Sequence, residues 1–104
     1  MNRDEVLKKA IETYGEEHQL NKLQEECAEL IAAISRYRED PVEQKNYINV
    51  IEEAVDVETV LLQLLNYAFP DQVVEYIRYD KAERLARRLE LDGEIEAKKE
   101  LERG

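Results

Sequence analysis

The sequence is poor in several residue types at once. Its 104 residues hold no tryptophan, one cysteine, one histidine, two prolines and three glycines. A single cysteine, Cys27, closes no internal disulfide, which fits a reducing compartment. Set among apolar neighbours, it reads as a small buried side chain. A single histidine excludes a multi-histidine metal site; His18 is placed on a helix surface and assigned no role. No Ser, Cys or His constellation offers covalent catalysis. Long apolar runs are missing too. Val60-Leu61-Leu62 and Leu64-Leu65 are parted by Gln63, a stretch far too short to span a membrane. Met1 to Ala10 is charged and has no apolar signal core. Nor is there an excess of basic residues: the net charge is −10 with 38% of residues charged. That balance argues against a nucleic-acid partner and suits a protein that recruits cations. A soluble, cytoplasmic protein with no membrane partner is expected.

What is abundant is Ala, Leu, Glu, Lys and Arg, a composition that leans to helix. The length predicts one domain over residues 1–104 with a modest core. Asn2 followed by Glu5 marks a helix start, and Gly15 a stop. Val6, Leu7, Ala10, Ile11 and Tyr14 share a face between them. A second helix is predicted from about Glu16 to Arg38, with a seam of Leu20, Leu23, Cys27, Leu30, Ile34 and Tyr37. Asp40-Pro41-Val42-Glu43 predicts a break and a new start, with Asp40 as cap. A third helix is predicted from about Val42 to Phe69. Apolar residues wrap over half of it, so it should be central or buried in an oligomer. Its narrow polar strip carries Asn49, Glu52, Glu53, Asp56, Thr59 and Gln63. Glu58 falls within the apolar arc, either at a subunit interface or behind the acids. Pro70-Asp71 opens a fourth helix, with Val73, Val74, Ile77, Ala82, Leu85, Ala86 and Leu89 as its inner side and a basic outer side. After Asp92-Gly93 the charged C-terminal tail, residues 92–104, is expected as a frayed helix.

Two acidic groups stand out. Glu25-Glu26-Cys27-Ala28-Glu29 lies beside the seam of the second helix, and Glu52-Glu53-Ala54-Val55-Asp56 lies on the apolar third. Like charges three or four apart cost roughly 0.2–0.5 kcal/mol per pair on an exposed helix, and burial raises the cost. A divalent cation compensates for it. Glu26 with Glu29, and Glu53 with Asp56, each point one way from their helix. Four carboxylates on two antiparallel helices make an all-oxygen site suited to Mg²⁺, with Mn²⁺ as a possible substitute. The bland alternative is a solvated acidic face, common in a chain with 25 acids.

The paired motifs resemble the signature of the MazG-like, all-α nucleoside triphosphate pyrophosphohydrolases, a superfamily that includes dimeric dUTPases and phosphoribosyl-ATP pyrophosphohydrolases. The similarity covers about residues 16–90. Gln19-Leu20-Asn21-Lys22-Leu23-Gln24-Glu25-Glu26-Cys27-Ala28-Glu29-Leu30 is its most family-like run, followed by Val50-Ile51-Glu52-Glu53-Ala54-Val55-Asp56-Val57. The resemblance implies an oligomeric four-helix bundle-like fold, as a homodimer or homotetramer. It also implies hydrolysis of a nucleoside triphosphate between the α and β phosphates, giving a monophosphate and pyrophosphate. By that similarity Glu26, Glu29, Glu53 and Asp56 would ligate Mg²⁺, and Glu25 would orient or deprotonate the attacking water. Lys81-Ala82-Glu83-Arg84 resembles the family's phosphate-contacting Lys-x-x-Arg pattern, with Tyr79 where the family often has Asn. Lys22 is a further phosphate candidate. A solvated basic face is the competing reading of Lys81, Arg84 and Arg88.

The expected function is therefore housecleaning of non-standard nucleotides or control of dNTP pools. Three rivals stand beside it: a phosphoribosyl-ATP pyrophosphohydrolase, a non-catalytic helical interaction module, and a metal-binding regulator without turnover. Tyr14, Tyr37, Tyr47, Tyr67 and Tyr76 are candidates to stack a base, and none is assigned to it.

Overall fold

Capping chemistry sets the first helix. The Asn2 side-chain oxygen accepts from the Glu5 N–H at 2.8 Å, and α1 runs Arg3–Tyr14. Gly15 then takes φ +87° and donates its N–H to the Ile11 carbonyl at 2.9 Å, which ends the helix. With ψ at 160°, this is a backbone region that is essentially glycine's own. The structure, a computed structural model, describes residues 1–103.

The second helix, α2, spans Glu16–Glu39. Glu16 and Glu17 in its first turn and Arg36 and Arg38 in its last suit the helix dipole. The turn that follows differs from the expected one. Asp40 closes α2, giving its N–H to the Arg36 carbonyl at 3.1 Å. Its own carbonyl accepts from Asn46 Nδ2 at 3.1 Å. Asp40 therefore does not cap the next helix. Pro41 disfavours helical geometry in the residue before it, and Asp40 lies at φ −141°, ψ 78°. The third helix, α3, spans Gln44–Gln63, and Glu43 at its start makes no side-chain capping bond. The short connection makes α2 and α3 an antiparallel pair in contact along their length.

The expected single helix to Phe69 changes register. After Gln63 the chain forms a π-helical turn, Leu64–Ala68, closed by the Phe69 N–H on the Leu64 carbonyl at 2.9 Å. Leu64 is the most deeply buried large side chain, and the Tyr67 hydroxyl donates to the Asp4 carbonyl at 3.3 Å. The core is small: Leu7 and Ile11 from α1, Ala33 from α2, Val60 from α3, and Leu64. Ala33 is wholly buried, which lets the helices approach closely. The expected burial of α3 on several sides does not occur in this chain alone. Ile48, Ile51, Val55 and Leu61 are exposed. Glu58, placed among them by the sequence, forms an ion pair with Arg3 of α1 at 2.7 Å.

These elements, Met1–Pro70, form one compact unit, and residues from Asp71 onward form a second. The second is one helix, α4, running Asp71–Arg103. The tail is helical as expected, continuous with α4 through Arg103 and without a break at Asp92-Gly93. A glycine in a helix costs only about 1 kcal/mol against alanine, and strong helix formers flank this one. Ion pairs one turn apart support the helix: Arg84 with Asp80 at 3.1 Å, Arg88 with Asp92 at 3.7 Å, Lys99 with Glu96 at 3.6 Å. Of its expected inner side, Val74 is buried while Val73, Ile77, Leu85 and Leu89 are exposed. Among the described residues there is no strand, and no helix is long and apolar enough to cross a membrane.

Candidate metal centre

Antiparallel packing of α2 against α3 sets the acidic groups opposite each other. One oxygen from each of Glu26, Glu53 and Asp56 lies within 4.8 Å of the others. Glu26 is buried at 7% exposure, Glu53 is half-buried and Asp56 is exposed, so the group is closed on the α2 side and open at Asp56.

Two of its oxygens lack partners. Glu26 Oε2 and Glu53 Oε2 are sealed from solvent and accept no hydrogen bond. For Glu26 Oε2 the general penalty is on the order of 1–3 kcal/mol, and more when the group is charged. The other Glu26 oxygen meets Lys22 Nζ at 3.1 Å, and Lys22 also stands 4.0 Å from Glu25. The hydrogen bond and charge of Glu26 hold the Lys22 ammonium above its ordinary range, with smaller help from Glu25 and Glu29. The Glu53 carboxyl is pushed up from its ordinary value. Desolvation is the first cause, then a hydrogen-bonding approach by Glu29, then the charges of Glu29, Asp56 and Glu26. Two carboxyl groups share a hydrogen bond only when one of them keeps a proton. With both ionised, Glu53 Oε2 is left bare.

Of the four predicted ligands, then, Glu26, Glu53 and Asp56 converge. Glu29 stands beside Glu53 but outside the converging three. Glu25 is exposed, close to Lys22. Lys81 and Arg84 belong to α4 in the second unit, where Arg84 pairs with Asp80.

The three converging residues fit a hard divalent cation. Their donors are all oxygens, two of them unpartnered, and no nitrogen or sulfur ligand competes. Neighbouring ligands of octahedral Mg²⁺ stand about 3 Å apart and opposite ones about 4.2 Å, so oxygens spread over as much as 4.8 Å would draw together around the ion. The open side leaves room for water or phosphate oxygens.

Two cavities flank the acids along the helix pair. On the side of the α2 N-terminus, Tyr14, His18, Gln19, Lys22, Glu25 and Gln63 line a cavity of about 660 Å³. On the other side, Arg36, Lys45, Asn49 and Glu52 line one of about 500 Å³. His18 lies on the helix surface where the sequence placed it, but its link through Gln19 to Gln63 was not foreseen. Gln63 did leave a signal, because it interrupts an apolar run and shares the polar strip with Glu53 and Asp56. Compared with family models, with curated proteins and with solved structures, the chain finds no match.

Proposed function

We propose that the protein is a Mg²⁺-dependent nucleoside triphosphate pyrophosphohydrolase of the MazG-like kind, acting in the cytoplasm on non-standard or surplus nucleotides. The observation that carries the reading is the pair of unpartnered oxygens, Glu26 Oε2 and Glu53 Oε2, on facing helices beside Asp56. Such a pair is costly unless a cation is its partner. When bound, Mg²⁺ would neutralise phosphate charge and make a bound water more acidic. Glu26, Glu53 and Asp56 would hold it, with Glu29 next to Glu53 as a further oxygen donor. Glu25 would accept the proton of the attacking water as the α–β phosphate anhydride bond breaks, giving a monophosphate and pyrophosphate. Lys22, released from Glu26 once a cation takes that carboxylate, would turn to a phosphate. Arg36 and Lys45 are further cations of the first unit, and Lys81 and Arg84 remain candidates from α4. The exposed Ile48, Ile51, Val55 and Leu61 support assembly of at least two copies.

The test is pyrophosphate release from a panel of ribo- and deoxyribonucleoside triphosphates, with phosphoribosyl-ATP included, in the presence of Mg²⁺. Asp56→Asn and Glu29→Gln should each lower turnover at least as much as the roughly 10–100-fold typical of losing an outer partner of a metal site. A panel with no substrate, or variants as active as the parent, would refute the reading.

A further inference from the structure

The cavity beside Tyr14 contains a polar chain whose direction can be worked out atom by atom. It starts at the main-chain carbonyl of Thr59, which can only accept. Gln63 Nε2 donates to that carbonyl at 3.1 Å. The amide of Gln63 is thereby oriented, and its Oε1 must accept. It does so from Gln19 Nε2 at 2.7 Å. The Gln19 amide is now fixed in turn, with Oε1 left to accept. That oxygen lies 2.8 Å from His18 Nδ1, so Nδ1 must carry the proton. The neutral ring is then the Nδ1–H tautomer, and Nε2 keeps a free lone pair. Gln19 and Gln63 are 4% and 3% exposed, so water offers them no alternative partners. Burying two amides is costly unless they are bonded, and here both serve one exposed imidazole.

The surroundings say what that lone pair is for. The His18 ring stacks on Tyr14, with centroids 5.2 Å apart and planes inclined by 22°. The cavity they line has a volume within the usual range for small-molecule sites, and it also contains Lys22 and Glu25. His18 precedes Glu26 by eight residues on α2, about 12 Å along the axis, which a sugar and its phosphates can bridge. We infer that this cavity takes the nucleobase of the substrate, with an N–H of the base edge donating in the ring plane to His18 Nε2 while Tyr14 backs the imidazole face. Gln19 and Gln63 are positioning residues that fix the tautomer. The inference rests on the nucleotide reading and deepens it: the substrate is recognised through its base, and polyphosphate alone is a poor ligand.

The experiment uses the full chain without metal. Imidazole ¹⁵N shifts of His18 should show the Nδ1–H tautomer on the neutral ring, and Gln63→Met should move the population towards Nε2–H. Four deoxynucleoside monophosphates are then titrated, with ribose 5-phosphate as the baseless control, following the His18 and Tyr14 ring signals. At least one nucleotide should bind more tightly than the control. His18→Ala, a change at an exposed position, should weaken that nucleotide about tenfold, the factor equivalent to about 1.4 kcal/mol, and leave the control unchanged. An Nε2–H ring in the parent protein, no preference over ribose 5-phosphate, or undiminished binding by His18→Ala would each overturn the assignment. If nucleotides bind through His18 while no triphosphate is hydrolysed, the cavity assignment stands and the hydrolase reading falls. If triphosphates are hydrolysed but His18→Ala binds normally, the reverse holds.

Discussion

Adding Mg²⁺ should raise the melting temperature, and removing one carboxylate should abolish that response while stabilising the metal-free protein. The reasoning starts from Glu26, Glu53 and Asp56, whose oxygens crowd within 4.8 Å of one another. Lys22 neutralises only the outer oxygen of Glu26. A ligand that binds only the folded state stabilises it by RT ln(1 + [L]/Kd), which is about 1.4 kcal/mol at ten times Kd. In a domain of 60–100 residues each kcal/mol shifts the melting temperature by roughly 4–8 °C. The acids sit in a unit of that size, Met1–Pro70. The expected rise is therefore roughly 6–11 °C, read by circular dichroism over a MgCl₂ series. Because the chain carries a net charge of −10, any salt will screen self-repulsion, so NaCl of equal ionic strength is the control. Glu53→Gln should melt higher than the parent without metal, since it removes a carboxylate disfavoured by burial and by Glu29, Asp56 and Glu26. The same variant should show little Mg²⁺-specific rise. Equal rises in NaCl and MgCl₂, or an undiminished Mg²⁺ response in Glu53→Gln, would refute the cation site.

Two further outcomes can be checked on the metal-free protein. The Glu53 carboxyl lies above its ordinary 4.5 when folded, so the folded chain holds that proton more tightly than the unfolded one. Its contribution is fully present below about 4.5 and is lost as pH rises through the folded value. Melting temperatures of parent minus Glu53→Gln should thus increase as pH falls from neutral towards that value, and a flat difference would contradict the shift. Gly15→Ala should cost about 1–3 kcal/mol in urea unfolding, from backbone strain at φ +87°. No atom lies within 4 Å of the added Cβ, so a parent-like midpoint would mean that the joint simply re-forms with another geometry.

Local signals carried the helix class and the first helix. Asn2 and Gly15 bound α1 because a side-chain cap and a left-handed residue act within a few positions. The pairing of Glu26 with Glu53 and Asp56 was also readable, since acids have few reasons to sit on an apolar helix. Features set by competition or by distant partners were not. Asp40 looked like a cap, but the following proline held it extended at the end of α2. Asp92-Gly93 marked a junction between the fourth helix and its tail, but flanking helix formers and ion pairs make the two one continuous helix. Glu58 had no visible purpose because its partner, Arg3, lies 55 residues away. The Gln19–Gln63 bond spans 44 residues, and nothing near either glutamine announces the other.

The π-helical turn shifts the phase of one continuous segment. Each α-helical residue advances about 100° around the axis, so a turn holding one extra residue resets the phase of everything after it. Before it, Glu53, Asp56 and Gln63 keep step with α2. Within it, Tyr67 points to Asp4 of α1. The inserted residue thus works as a phase shift at the end of a helix whose Glu58 already reaches Arg3 of α1, and Tyr67 adds a second tie to that same neighbour.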